Sequence, residues 1–523
     1  MTMGAMQTLA DVVRHHAAER PGNLAIHYLA DGRRWTFAEL DRESSQVAQR
    51  LREAGVGAQD RVAYLDKNAP EYFTLLFGIA KLNAASVAVN WRLAAPEMEY
   101  ILNNSEAKVL AIGEEFLGHL AQMKLTHAKR IVVIGDPGEG GYPSYEQWIA
   151  GASTQDPKAP CSPHDTCYQL YTSGTTGLPK GVEHTHDNFL GCLGTAFAAL
   201  GFVPSSVNLV CSPLFHIGGS GWALVGTYHG AAIVLSRDVE LVKLLKALEE
   251  HRATHAFFVP ALLQMLLGVP EVTSTDFSAL RVILYGASPI TESVLVSAME
   301  RFGCRFFQSY GLTETTGGIC LLHADDHDPG GPRAHLLRSA GKPVTPNRVR
   351  IVDTETLADC PEGKVGEIWV KGRQNMKGYW KNPEATAKTI TSEGWLRTGD
   401  AGYMRDGYVF IHDRVKDMII SGGENIYPAE IENVLMKHPG IADTAVIGVP
   451  SERWGETPKA MVVRRDPALT EQAVIEFCRA QLARYKCPTS VTWCDTIPRN
   501  PSGKILKTEL RKPFWAGRDR QVS

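Results

Sequence analysis

Short runs of aliphatic and β-branched residues, each closed by a turn or an amphipathic helical stretch, recur through most of this 523-residue chain. LAIHYL and RVAYLD come first, separated by the helical pattern FAELDRESSQVAQRLREAG, and KVLAIG, RIVVIG, AAIVLS, HAFFVP and RVILYGAS follow. A short apolar run without a polar face is how a strand reads when both sides of its sheet are covered, and the intervening helices supply the cover. The chain is therefore expected to be α/β, with doubly wound sheets. From about Gly341 the texture changes to VRIVDTETL, GEIWVKG and GWLRTGDAGYMRDGYVFIHDR, which is Gly-punctuated and alternating and predicts a small antiparallel, β-barrel-like region. Mixed α+β patterning returns after Arg414. This divides the chain into a large N-terminal domain, residues 1–414, and a smaller C-terminal one, residues 415–523.

Composition narrows the class further. With 44% hydrophobic and 21% charged residues, the chain can bury several cores and is neither disordered nor collagenous. Its 54 basic and 57 acidic residues leave a net charge of −3, which gives no reason to expect a nucleic-acid partner. The ten cysteines form no C-x-x-C pair and reads as reduced, mostly buried thiols of a cytoplasmic protein. An Asp and two His stand near the N-terminus where a secretory leader would need an unbroken apolar run. The longest greasy stretch, Phe257 to Pro270, is broken by proline and shorter than the ~20 residues of a membrane span. No transmembrane segment is expected, while peripheral membrane contact and the choice between monomer and homodimer stay open.

The segment Tyr171-Thr-Ser-Gly-Thr-Thr-Gly-Leu-Pro-Lys180-Gly181 carries the strongest chemical signal. Glycines let successive backbone N–H groups approach an anion, Ser and Thr hydroxyls add donors, and the lysine supplies a compact positive charge, so the loop can wrap polyphosphate. It is not a Walker loop, since no G-x-x-x-x-G-K-[ST] occurs in the chain. Alone, a Ser/Thr/Gly loop is more often a plain surface turn. Further constellations stand in order behind it: Pro213-Leu-Phe-His216, Tyr285-Gly-Ala-Ser288, Tyr310-Gly-Leu-Thr-Glu314, Gly394-Trp-Leu-Arg-Thr-Gly-Asp400, Asp413-Arg414, Ser421-Gly-Gly-Glu-Asn425 and Pro501-Ser-Gly-Lys504.

These motifs, in this order and over nearly the whole chain, resemble the adenylate-forming superfamily of acyl-CoA synthetases, peptide-synthetase adenylation domains and beetle luciferases. The resemblance implies ATP-dependent activation of a carboxylic acid to acyl-AMP, followed by transfer to the thiol of CoA. A carboxylate is a poor electrophile, and both steps build negative charge on oxygen that pre-oriented cations and N–H donors stabilise.

By the resemblance, Thr175, Thr176 and Lys180 hold the β- and γ-phosphates within a loop completed by Thr172, Ser173, Gly174 and Gly177, and Glu314 binds Mg2+. Tyr310, followed by Gly311 and Thr313, stacks on the adenine, with Gly286, Ala287 and Ser288 on the purine's other edge. Asp400 accepts the ribose hydroxyls and Arg414 donates to the same sugar. Lys504 bridges the carboxylate and α-phosphate during adenylation only, which implies a mobile C-terminal domain with its hinge at Lys416. Lys507 carries no such implication. In the second half-reaction Gly422, Gly423 and Glu424 line a pantetheine tunnel, with Asn425 and Trp454 near it. His216 gates the acyl pocket, which is walled by Phe215, Gly218, Gly219, Ser220 and Trp222. These walls are apolar or small and hold no cation for a second carboxylate. A medium- or long-chain fatty acid is ranked first and an aryl or alicyclic acid second, with carrier-protein loading and a catalytically silent homologue as further alternatives.

Overall fold

The computed structural model describes residues 6–172, 178–288, 290–414, 417–421, 424–499 and 505–516, with backbone only at 195, 196, 413, 414, 424 and 425. The expected α/β architecture is present. A nine-stranded sheet has a parallel centre, ordered Arg305–Leu312, Val282–Gly286, His255–Phe258, Val207–Val210, Ala232–Leu235 and Leu24–Tyr28, with antiparallel strands at both edges. A seven-stranded sheet runs Gly378–Tyr379, Lys180–Thr185, Thr166–Thr172, Ala85–Ala88, Arg61–Leu65, Ala107–Gly113 and Arg130–Ile134, its first two pairings antiparallel and the rest parallel.

Helices fill the space between these sheets. Phe37–Glu53 begins at a capping box, with Glu39 N–H donating to Thr36 Oγ1 (3.2 Å) and Thr36 N–H donating to Glu39 Oε2 (2.8 Å). It buries one face, which includes Leu40, Val47 and Leu51, against Glu71–Lys81. That second helix is buried all round, so its sequence shows no polar stripe. At Gly78 the two helices come so close that a Cβ would stand 2.7 Å from Ser44 O. Both helices share one apolar core with strands of the two sheets, from Val62 and Tyr168 on one side to Ile233 and Leu284 on the other.

The chain after Gly341 forms a four-stranded antiparallel sheet, Arg348–Val352, Gly366–Lys371, Leu396–Arg405 and Tyr408–Arg414. Val409 ties it to the large sheet's edge by accepting from Ala340 N–H (2.7 Å) and donating to Gly341 O (2.9 Å). A fourth sheet, Glu424–Ile426, Ile419–Ser421, Gly455–Arg464 and Ile441–Ser451, with Ser490–Trp493 beside Gly455–Arg464, has its own apolar core. The ten cysteines are free thiols, six of them buried. The greasy stretch after Phe257 resolves into the end of a strand and the short helix Pro260–Leu267, and no described helix is long and apolar enough to cross a membrane.

Candidate active site

The carboxyl ends of the two parallel sheets face one another, and a few side chains bind them together. Asn68, just past Arg61–Leu65, donates to Ser212 O and Ser236 O (3.1 Å each) and accepts from Leu214 N–H (3.0 Å). Asp66 pairs with Arg237 at 3.0 Å beside it. Crevices outside the carboxyl ends of parallel strands are where α/β folds bind ligands, because loops and helix starts converge there.

On the large-sheet side, Gly286 ends its strand in register with Ser309. A Cβ at Gly286 would lie 2.2 Å from Ser309 O, so only glycine permits this approach. Ala287 follows in the left-handed region (φ +66°), which turns the chain out toward solvent ahead of Ser288. Tyr310 lies on the neighbouring strand with its ring buried, and its hydroxyl donates to Asp400 Oδ2 at 2.8 Å. Burial, reinforced by this carboxylate, raises the Tyr310 phenol well above its ordinary range, so it remains a donor. Asp400 is fixed in turn by its N–H, which donates to Thr398 Oγ1 (3.0 Å), and Thr398 donates to Ile368 O (2.7 Å). The strand register sets Arg414 directly across from Asp400. Gly311 and Thr313 flank the tight turn after Tyr310, where a Cβ at Gly311 would overlap Gly317 O at 1.8 Å.

On the seven-stranded side, Thr172 and Lys180 pair across the hairpin. Ser173, Gly174, Thr175, Thr176 and Gly177 lie outside the described residues. The Lys180 ammonium sits 5.1 Å from the Tyr379 ring centroid, and the Tyr379 hydroxyl donates to Glu314 Oε1 at 2.9 Å. Lysine, tyrosine and glutamate therefore form one chain of contacts, and Tyr379 is a member that sequence reasoning missed. Among the described residues no cluster of three or more His, Cys, Asp or Glu side chains could enclose a metal ion. A single carboxylate nevertheless suits Mg2+, which keeps water and phosphate oxygens as most of its ligands.

The acyl-side residues stand at the start of helix Ile217–Tyr228. Leu214 is clamped by Asn68 and by Tyr168, whose hydroxyl donates to Leu214 O (3.1 Å), and Ser220 Oγ donates to His216 O (3.0 Å). Asn68 and Tyr168 were not legible as site residues, because their partners lie far away in sequence. The His216 Nε2 is shielded and has no partner among the described residues. Burial pulls the His216 imidazole down to about 4, with Arg92 adding repulsion, so the ring is neutral at pH 7. Gly219 permits a turn in which a Cβ would meet Pro213 O at 2.1 Å, and Gly218 lies under the Phe257 ring. Phe215 is buried, and Trp222 is buried with its indole N–H on Leu209 O (3.0 Å) and its ring against Phe202 and Phe257. Exposed Arg92 stacks on Trp91 (4.7 Å) and reaches within 5.9 Å of the Phe215 ring.

In the C-terminal part, Lys416, Gly422, Gly423 and Lys504 lie outside the described residues. Glu424 and Asn425 pair with Ser421 and Ile420 in a short hairpin. Trp454 is 47% exposed at a strand turn, with Arg453 over its ring at 4.6 Å. Lys507 is spent on Glu432 at 3.0 Å.

Comparison with known proteins supplies the context for this geometry. The family model described as "AMP-binding enzyme" matches residues 13–380, and that of the "AMP-binding enzyme C-terminal domain" matches residues 430–504. The chain is 40% identical to the fatty acid–[acyl-carrier-protein] ligase ScoC of Streptomyces coeruleorubidus, over 99% of this chain and 98% of that one. It is 37% identical to a feruloyl-CoA synthase of an Amycolatopsis species, over 96% of both. Among solved structures, a Mycobacterium tuberculosis fatty acyl CoA synthetase aligns with a TM-score of 0.77 at 32% identity, covering 98% of this chain and 99% of that one.

Proposed function

The chain belongs to the AMP-binding enzyme family, and from that premise we propose that it activates a hydrophobic monocarboxylic acid, a medium- or long-chain fatty acid first, and passes the acyl group to CoA. It is an AMP-forming acid–thiol ligase that uses ATP, Mg2+ and CoA. The observation supporting the acid class is the apolar or small character of the residues around His216, Phe215, Gly218, Gly219 and Trp222, with Phe257 packed nearby and the cation Arg92 exposed and stacked on Trp91.

In this reading a carboxylate oxygen attacks the α-phosphorus of ATP, the bond to the pyrophosphate oxygen breaks, and acyl-AMP forms. The thiol sulfur of CoA then attacks the acyl carbon, AMP leaves, and the thiol proton passes to solvent. Tyr310 and Asp400 hold the adenosine, and Lys180 with the loop from Thr172 to Gly177 holds the β- and γ-phosphates. Glu314 would hold Mg2+, which would supply charge neutralisation at the phosphates. Lys504 orients the attacking carboxylate against the α-phosphate. Neutral His216 separates the acyl pocket from the thiol path without adding a charge to an apolar wall. The domain boundary near residue 415 and a hinge at Lys416 let the C-terminal part withdraw Lys504 and present Ser421 to Asn425 instead.

A second reading, loading of a carrier-protein pantetheine, is favoured by the 40% identity to a carrier-protein ligase over the full length. An aryl acid is favoured by the feruloyl-CoA synthase. A panel of fatty, aryl and alicyclic acids with ATP and Mg2+, followed for acyl-AMP and thioester by mass spectrometry, separates these readings when CoA and a phosphopantetheinylated carrier protein are supplied in parallel. Fatty acyl-CoA is the expected product. Acyl-AMP that accumulates with CoA but is consumed by the carrier transfers the assignment to carrier loading, and turnover confined to aryl acids moves the acid class. Lys504→Ala is expected to lose adenylation by at least ~10²-fold while retaining most thioester formation from supplied acyl-AMP; equal losses in the two steps would refute a role in one half-reaction.

A further inference from the structure

The segment Met376–Trp380 stitches the Glu314 turn to the Lys180 strand, and we propose that Tyr379 is a positioning residue that fixes the Glu314 carboxylate beside the Lys180 cation. The inference rests on the reading of Glu314 as the Mg2+ ligand. Three backbone hydrogen bonds place the segment: Met376 N–H donates to Glu314 O (2.8 Å), Lys377 N–H to Glu183 O (2.9 Å) and Trp380 N–H to Gly181 O (2.7 Å). Gly378 and Tyr379 pair antiparallel with Glu183 and Val182, and Tyr379 N–H donates to Thr386 Oγ1 (2.9 Å). The Tyr379 backbone is thus anchored on both sides before its side chain makes any contact with a charged group.

From that backbone the one side chain serves two charges. Its hydroxyl donates to Glu314 Oε1 at 2.9 Å, and its ring face lies 5.1 Å from Lys180 Nζ. A glutamate on a turn has several rotamers to lose when it binds a cation, and a donor already holding one oxygen reduces that loss. The ring attracts the ammonium through its quadrupole and keeps the lysine near the carboxylate without letting the two neutralise each other in a direct ion pair. Cation and acid are then preset for two ends of one polyphosphate. Tyr379 also packs in a small apolar cluster with Val182, Met376 and Leu396, so a purely structural role has to be distinguished.

The test uses the full-length chain with Mn2+ and ATP as probes and compares Tyr379→Phe, which retains the ring, with Glu314→Gln. Mn2+ affinity of the ATP complex is read by electron paramagnetic resonance, ATP binding without metal by calorimetry, and stability by thermal melting. Tyr379→Phe is expected to weaken Mn2+ about tenfold, the worth of a hydrogen bond to a charged group, with metal-free ATP binding and melting temperature close to wild type. Glu314→Gln is expected to weaken Mn2+ further. Wild-type Mn2+ affinity in Tyr379→Phe, alongside a loss in Glu314→Gln, overturns the proposal and leaves the Glu314 reading standing. Wild-type affinity in both overturns the Glu314 reading and the proposal with it. A lowered melting temperature with equal losses of ATP binding in the presence and absence of metal makes Tyr379 a packing residue and also overturns the proposal.

Discussion

Tyr310 and Asp400 meet at 2.8 Å across 90 residues of sequence, and this contact locks the strand Arg305–Leu312 to the four-stranded sheet. Tyr310→Phe keeps the ring but leaves a buried carboxylate short of one donor. The expected cost is about 1–3 kcal/mol of stability, together with a several-fold rise in the KM for ATP and no change in the KM for the acid. Denaturant titration and steady-state kinetics check both, and an unchanged ATP KM would detach Asp400 from the nucleotide. Gly286 illustrates what the sequence leaves undecided about such residues. Its place in a Tyr-Gly-Ala-Ser motif marks it as important, but a glycine can be wanted either for ligand approach or for strand spacing. Ser309 O, 2.2 Å from a would-be Cβ, makes strand spacing by itself a sufficient reason for glycine here, and that neighbour could not be read from the motif.

Lys507–Trp515, the last described helix, shows the same division at the scale of elements. Its amphipathic pattern is weak and it contains Pro513, so the sequence gives little reason to expect it to be held firmly. Long-range ion pairs hold it: Lys507 to Glu432 at 3.0 Å and Arg511 to Asp417 at 2.7 Å, with the Trp515 indole donating to Gly448 O at 2.9 Å. Arg511 and Asp417 are both buried and lie 94 residues apart, a pairing that no local periodicity announces. Because removing one partner strands the other charge in the interior, Arg511→Ala is expected to destabilise the C-terminal sheet by about 3–5 kcal/mol, whereas Asp417→Leu with Arg511→Leu should cost much less. Hydrogen exchange over residues 441–464 in the full-length protein reads this difference. Equal losses in the single and double variants would show that the pair does not hold the helix through its charges.

For the molecule as a whole, the βα rhythm was legible because buried parallel strands have to be apolar on both faces, whereas the crevice was not. It depends on Asn68 reaching two other loops and on Asp66 meeting Arg237, contacts between loops that follow strands of different sheets. Burial on this scale also sets the pH range the fold tolerates. His16, His186, His255 and His327 are pulled down to about 4 and His184 to about 3, chiefly by burial. An unfolded chain protonates histidine near ~6.5, so between about pH 6.5 and 4 the unfolded state binds more protons at these five positions. Stability therefore falls as pH falls through that window, each histidine contributing on the order of 1–3 kcal/mol by its lower end. Asp66, raised to about 6 by burial, works in the opposite direction, since its protonation favours the folded state, but it is one group against these five and His216, which burial also pulls down to about 4. Scanning calorimetry from pH 7.5 to 4.5 should show the melting temperature dropping most steeply below pH 6.5, ahead of the range in which ordinary surface carboxylates titrate. A melting temperature that stays level down to pH 5 would mean that these histidines are not held neutral in the folded chain.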